Sequence, residues 1–198
     1  MLGLLLREEL LSMAAEDGAV RARLAEDGTL FEGYNPLMAI VHRRNGDRLG
    51  EIADEHGWPG ISLVGEDGAD AAWLVLKHAI SQPDLQRRLL PVLQRAVATG
   101  DALPWHAATL EDGIAFYEGR PQRYGTMFDW DEAGEMQPWT IEDPGDVDNR
   151  RALVGLPPLA EQLAGVRAGA DADGEHRPDD PAARLREADE WARSVGWR

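Results

Sequence analysis

A mainly α fold is predicted for this 198-residue chain: a compact multi-helix domain with a small β-hairpin and a C-terminal helical arm. Three observations predict it. Apolar residues recur at three- and four-residue spacing from Leu5 to Val97. Glycine and proline punctuate that pattern where helices stop and start: Gly28, Asn35-Pro36, His56-Gly57, Gln82-Pro83, Gly100, Pro104 and Gly119. Only Gln122 to Thr140 loses the helical period and gathers aromatics, threonine and turn residues.

The elements follow in order. Leu5, Leu6, Leu10, Met13, Val20 and Leu24 predict a helix over 3–26. Asn35-Pro36 opens a second helix, with proline in its first turn. Its expected buried face is Leu37, Ile40, Val41, Leu49 and Ile52, with Gly46 as a point of interruption and His56-Gly57 as the C-terminal cap. A third helix over 67–80 is apolar almost all round, through Ala71, Ala72, Leu74, Val75, Leu76 and Ala79, and is expected at the centre. A fourth covers 83–98, and a fifth runs from Pro104 to Gly119. The hairpin is placed near 122–140 with its turn at Asp131–Gly134. Helices return over 146–154 and 158–166, closing a domain of residues 1–166. The Ala, Gly, Asp and Pro of 167–180 predict a flexible linker. Asp180-Pro181 then caps a C-terminal helix over 181–198 with Leu185, Ala188, Trp191, Ala192 and Val195 on one stripe. That helix is expected to dock on the body or to join two chains as a homodimer.

Charge and composition bound the function. Twenty basic against 36 acidic residues give a formal charge of −16, which repels phosphate backbones and anionic lipids, so neither nucleic acid nor membrane is an expected partner. Cationic small molecules and basic protein surfaces are drawn in instead. With no cysteine, disulfides, thiolate nucleophiles and cysteine-held metals are excluded. The apolar run Met1–Leu6 stops at Arg7-Glu8-Glu9, too short for the core of a signal peptide, and a cytoplasmic protein is expected.

Two Gly- and Pro-rich loops carry the candidate chemistry: His56-Gly57-Trp58-Pro59-Gly60, and Pro121-Gln122-Arg123-Tyr124-Gly125-Thr126. Between them His78 ends the apolar third helix, with Leu74 and Val75 four and three residues before it, so its ring should face inward. Histidine titrates near neutrality and suits acid/base work. Tyr124 and Glu142 are the other candidate catalytic groups. Trp58, Arg123, Thr126 and Asp143 are candidate substrate contacts. Each has a structural alternative: Trp58 as a core plug, Tyr124 packed under a turn, Glu142 and Asp143 fixing the next helix through Arg150 and Arg151.

Several motifs fail. Gly60 to Gly65 has the glycine spacing of a phosphate loop, but Glu66-Asp67 stands where Lys-Ser/Thr is required. Ser62 lacks a nucleophile elbow. Asp129 to Gly134 starts like a calcium loop without the closing glutamate. No two histidines sit at metal-ligand spacing; His42 and His106 lie in amphipathic segments and His176 in the linker. No metal or cofactor is expected.

From Arg48 to Leu163 the chain resembles an uncharacterised bacterial family of domains of unknown function. The residues that carry the resemblance are Gly57–Gly60, Ser62–Gly65, Ala71–His78, Pro121–Thr126, Ile141–Pro144 and Arg150–Leu156. The chain departs from the family at Lys77 and Ile80, which flank His78-Ala79 where the family reads Gln-His-Ala-Asp, and at Met127, where it reads Gln. The resemblance supplies no activity. Two functions fit these residues. One is a metal-independent hydrolase or lyase acting on a small polar, even cationic, molecule, which requires His78 to share a pocket with Tyr124 and Thr126. The other is a non-catalytic acidic protein, an antidote or regulator, that binds a basic protein partner through Trp191 and Trp197.

Overall fold

The computed structural model describes residues 1–198 except Glu32, Glu132 and 174–176, and the side chains of Phe31, Asp171 and Asp173. It is 70% helical, with eight α-helices and a two-stranded antiparallel hairpin among the described residues, a mainly α fold. The chain divides into two compact units, Met1–Ala107 and Ala108–Arg198.

The first unit is built on α1 (Leu2–Glu26), α2 (Pro36–His56), α3 (Ile61–His78) and α4 (Pro83–Ala98). Asn35 caps α2 by accepting the Leu37 N–H at 2.9 Å, and Pro36 occupies the first turn. Successive helices alternate in direction. Arg7 Nε meets Asp67 Oδ1 at 2.8 Å and Asp17 meets His78, so α1 and α3 run parallel. Glu9 with Arg48 and Glu16 with Arg44 set α2 antiparallel to α1. Asp47 with Gln82 and Asp54 with Arg88 set α4 parallel to α2. The core between them is Leu6, Leu10, Met13, Leu49, Ile52, Ala72, Val75, Leu76, Leu89 and Leu93.

Three expectations change here. Leu37 and Ile40 are 47% and 64% exposed, because the buried stripe of α2 lies one step round, on Met38, Val41, His42, Asn45, Leu49 and Ile52. Gly46 does not interrupt α2; a Cβ there would run into Gln82 and Ala79, so it lets the connection between α3 and α4 lie close against the helix. The third helix begins earlier than 67, as one turn from Ile61 that breaks at Gly65 (φ 76°, ψ 171°) and resumes. The turn before it is sealed by Asp101, which accepts the Ser62 N–H at 2.6 Å through its side chain and the Ile61 N–H at 2.9 Å through its carbonyl. Gly60 sits so close to Asp101 that no side chain fits.

α5 (Pro104–Tyr117) begins in the first unit and ends in the second. The second unit adds β1 (Phe128–Trp130), β2 (Met136–Pro138), α6 (Val147–Leu153), α7 (Leu159–Asp173) and α8 (Pro181–Ser194). The strands pair Phe128 with Pro138 and Trp130 with Met136, and the Gly134 N–H returns to the Asp131 carbonyl at 2.9 Å. α7 corrects the linker expected from 167: the helix continues through Asp173, Ala170 is buried, and Arg167 donates to the Met136 carbonyl at 2.9 Å. Alanine's helix propensity and one anchored arginine outweigh the low apolar content of that stretch. His176 lies outside the described residues.

α8 starts as predicted, with the Asp180 side chain accepting the Ala183 N–H at 2.8 Å. Its end docks within the second unit. Trp197, 3% exposed, stacks on Tyr117 at 5.3 Å, and Trp191 meets the same ring edge-on. No helix among the described residues is long and apolar enough to cross a membrane.

Candidate functional site

Asp17 lies on the buried stripe of α1, four residues after Met13, and is only 3% exposed. A carboxylate there must be satisfied by neighbours. Two imidazoles supply them. His78 Nδ1 is 2.9 Å from Asp17 Oδ2, and His42 Nε2 is 3.1 Å from the same oxygen. The His42 and His78 rings are 5.1 Å apart. On the far side of His42, the Tyr34 hydroxyl lies 2.9 Å from Nδ1 and its ring stacks on the imidazole. Tyr34, His42, Asp17 and His78 thus lie in one row in the first unit, with hydrogen bonds at its two ends and His42 Nε2 beside Asp17 at its middle.

The electrostatics follow from burial. Desolvation alone would push the Asp17 carboxyl up, but the His78 hydrogen bond and the two imidazoles set against it outweigh that and hold the group far below the usual carboxylate range. Burial lowers the His78 imidazole, against the pull of Asp17, so its neutral form is favoured. Facing an ionised carboxylate, a neutral His78 donates its Nδ1–H and keeps the Nε2 lone pair free. The His78 side chain is 27% exposed, so this end of the chain of groups reaches solvent. Gln86 of α4 fixes the end of α3 by donating to the Leu76 carbonyl at 2.8 Å and the Lys77 carbonyl at 3.1 Å. Lys77 itself turns away to lie over the Trp73 ring at 5.1 Å.

Trp58 is buried at 7% exposure in the first unit. The remaining sequence-predicted residues belong to the second unit, and each set has partners of its own. The loop 122–126 is organised by Asp112 of α5, which is fully buried. Its carboxylate accepts the N–H groups of Arg123 (2.7 Å), Tyr124 (3.0 Å) and Thr126 (3.0 Å), and the Thr126 hydroxyl at 3.0 Å. Buried Gln122 donates to the Met127 and Trp139 carbonyls, both at 2.9 Å. Gly125 (φ 68°) leaves no room for a side chain beside Ile141 and Leu159. Buried Arg151 donates to the Tyr124 carbonyl at 2.6 Å, and Arg150 to the carbonyls of Arg123, Glu142 and Asp143. The Thr126 hydroxyl is therefore engaged inside the loop. Arg123 lies over the half-buried Tyr124 ring at 5.9 Å. Glu142 and Asp143 have exposed side chains, and Asp143 takes a left-handed backbone conformation (φ 42°) before Pro144.

Glu111, beside this loop, offers a pH test. Burial pushes its carboxyl up; Arg123 and Arg120 oppose that, while Asp112 and Glu142 add to it. A carboxyl with a folded pKa above its unfolded value stabilises the fold fully at acid pH and loses that contribution as pH rises through the folded value. Glu111→Gln should therefore melt higher than wild type near neutrality, with the gap closing toward pH 4.5. A gap that widens on acidification would contradict this environment.

Sequence reasoning missed Asp17, Tyr34 and Asp112, set His42 aside as an amphipathic-segment residue, and paired Arg151 with Glu142 and Asp143 where it clamps carbonyls instead. The signal was present in part: Asp17 and Asp112 fall on apolar helical stripes, and a carboxylate in such a place marks a buried network. A hollow of about 400 Å³ is lined by Met1, Leu4, Leu63 and Val64, with Arg7 as its one titratable side chain.

No curated protein and no solved structure matches the chain. The model of one family matches residues 5–175, well over half the chain and all of the Tyr34–His42–Asp17–His78 constellation. The chain belongs to the family of unknown function DUF6624.

Proposed function

We propose that the protein is an enzyme of hydrolase or lyase type, acting on a small polar molecule, with the Asp17–His42–His78 cluster as its acid/base centre. One observation carries this reading: a buried carboxylate holds His78 Nδ1 at 2.9 Å while the same imidazole is 27% exposed. A carboxylate in that position orients the ring, selects its tautomer and stabilises the imidazolium that forms when the outer nitrogen takes a proton. His42 packs beside the same carboxylate oxygen, and Tyr34 holds its other nitrogen at 2.9 Å. The charge of −16 favours cationic substrates.

The test is a panel of small esters, amides, phosphoesters and amines offered to the purified protein. Any turnover found should fall about 10²–10⁴-fold in His78→Gln. Asp17→Asn, which keeps the shape and loses the charge, should fall comparably. Turnover unchanged in His78→Gln removes this centre from the reaction.

A further inference from the structure

We propose that Asp17, His42 and His78 are the protein ligands of a divalent transition-metal ion of the zinc type. The inference rests on the reading of this cluster as a reaction centre and changes what holds the proton there. Each residue offers one ligand atom, and the three atoms lie within 4.8 Å of one another, contributed by α1, α2 and the end of α3. Two of the separations are 2.9 and 3.1 Å. Ligand atoms about 2.0–2.2 Å from one zinc ion stand roughly 3–3.5 Å apart, so the two sides that meet at Asp17 are already close to that spacing.

A second, independent observation points to the ion. His42 is 7% exposed, and its Nε2 is fully enclosed beside the Asp17 oxygen without hydrogen-bond geometry to it or to any other group. Two imidazoles crowd the same carboxylate oxygen, and only His78 bonds to it well. A metal ion taken up among the three would satisfy all of these atoms together, including the enclosed His42 Nε2. The surroundings agree. A ligating histidine is normally fixed by a hydrogen bond from its other nitrogen, and His42 Nδ1 has the Tyr34 hydroxyl at 2.9 Å as its acceptor. Two imidazoles and one carboxylate leave coordination positions open, as catalytic zinc sites require, and the exposed edge of His78 marks the way in.

With the ion in place His78 is a ligand through Nδ1, and water on the metal becomes the proton donor. It loses a proton near neutral pH, and the hydroxide adds to a carbonyl or phosphoryl centre. The leaving group departs with a proton. Water is split across the bond, with no change in oxidation state.

The experiment uses the full chain stripped with EDTA, then titrated with zinc by calorimetry and with cobalt(II) by visible absorption. One ion per chain is expected, with a Tm rise of about 5–10 °C at a hundredfold excess over Kd. His42→Gln, His78→Gln and Asp17→Asn should each weaken binding at least 100-fold. Tyr34→Phe should weaken it about tenfold. The exposed His56→Gln should not change it. Circular dichroism checks each variant's fold, and the cobalt spectrum of wild type needs no variant. Wild type that takes up neither ion at 1:1, or a folded His42→Gln that binds as tightly, overturns the site. The two proposals part cleanly. Turnover in EDTA-treated protein that needs His78, without metal binding, leaves the proton-carrier reading and ends the metal. Metal binding with turnover untouched in all three ligand variants ends the reaction centre and leaves the metal.

Discussion

Arg151→Met is expected to cost the fold about 3–5 kcal/mol and lower Tm by roughly 6–20 °C. Arg151 has no exposed surface. Its guanidinium donates to the Pro157 carbonyl at 2.7 Å, the Tyr124 carbonyl at 2.6 Å and the Gly125 carbonyl at 3.2 Å, and also to the Gln162 side chain. Methionine fills much of the volume but leaves those oxygens buried without donors, each costing about 1–3 kcal/mol. Arg151→Lys should recover little, because an ammonium cannot span oxygens that a planar fork reaches from three nitrogens. Thermal and urea unfolding followed by circular dichroism measure both variants. A methionine variant as stable as wild type would show that the clamp contributes nothing to the fold.

Asp112→Ala should be comparably severe, at about 3–5 kcal/mol, for the opposite reason. Here the buried group is the acceptor. Removing it leaves the N–H groups of Arg123, Tyr124 and Thr126 and the Thr126 hydroxyl without their oxygen. Hydrogen bonds to a charged group contribute more than neutral ones, so each loss is large. Asp112→Asn should fall between wild type and alanine, since an amide offers one accepting oxygen where the carboxylate used both. Asp112 and Arg151 hold the same five-residue loop from its N–H and C=O sides. The double variant should therefore lose less than the sum of the single losses, by about 0.5–3 kcal/mol, because either change already frees the loop. Strict additivity in urea midpoints would separate the two clamps.

These clamps explain why the Pro121–Thr126 motif reads as it does. Gln122, Gly125 and Thr126 build the loop; Arg123 is exposed and lies over the half-buried Tyr124 ring. A motif rich in polar residues suggested ligand contacts, and most of its polar atoms turn out to bond the chain to itself. Trp191 and Trp197, the anchors of the alternative that binds a basic partner, both pack against Tyr117 within the second unit.

The helices were legible because their boundaries are set locally. Asn35 and Asp180 cap, Pro36, Pro83, Pro104 and Pro181 open, and Gly57 closes, all by backbone conformation within a few residues. The sequence by itself therefore determined a mainly α protein, the start and end of most helices, the hairpin turn and His78 at the end of an apolar third helix. The tertiary structure decided what His78 meets. Asp17 is 61 residues away and His42 is 36 away, on different helices, and no local spacing rule connects them. Only the packing of α1, α2 and α3 brings one carboxylate between two imidazoles, because burial of those helix faces depends on every other contact in the core.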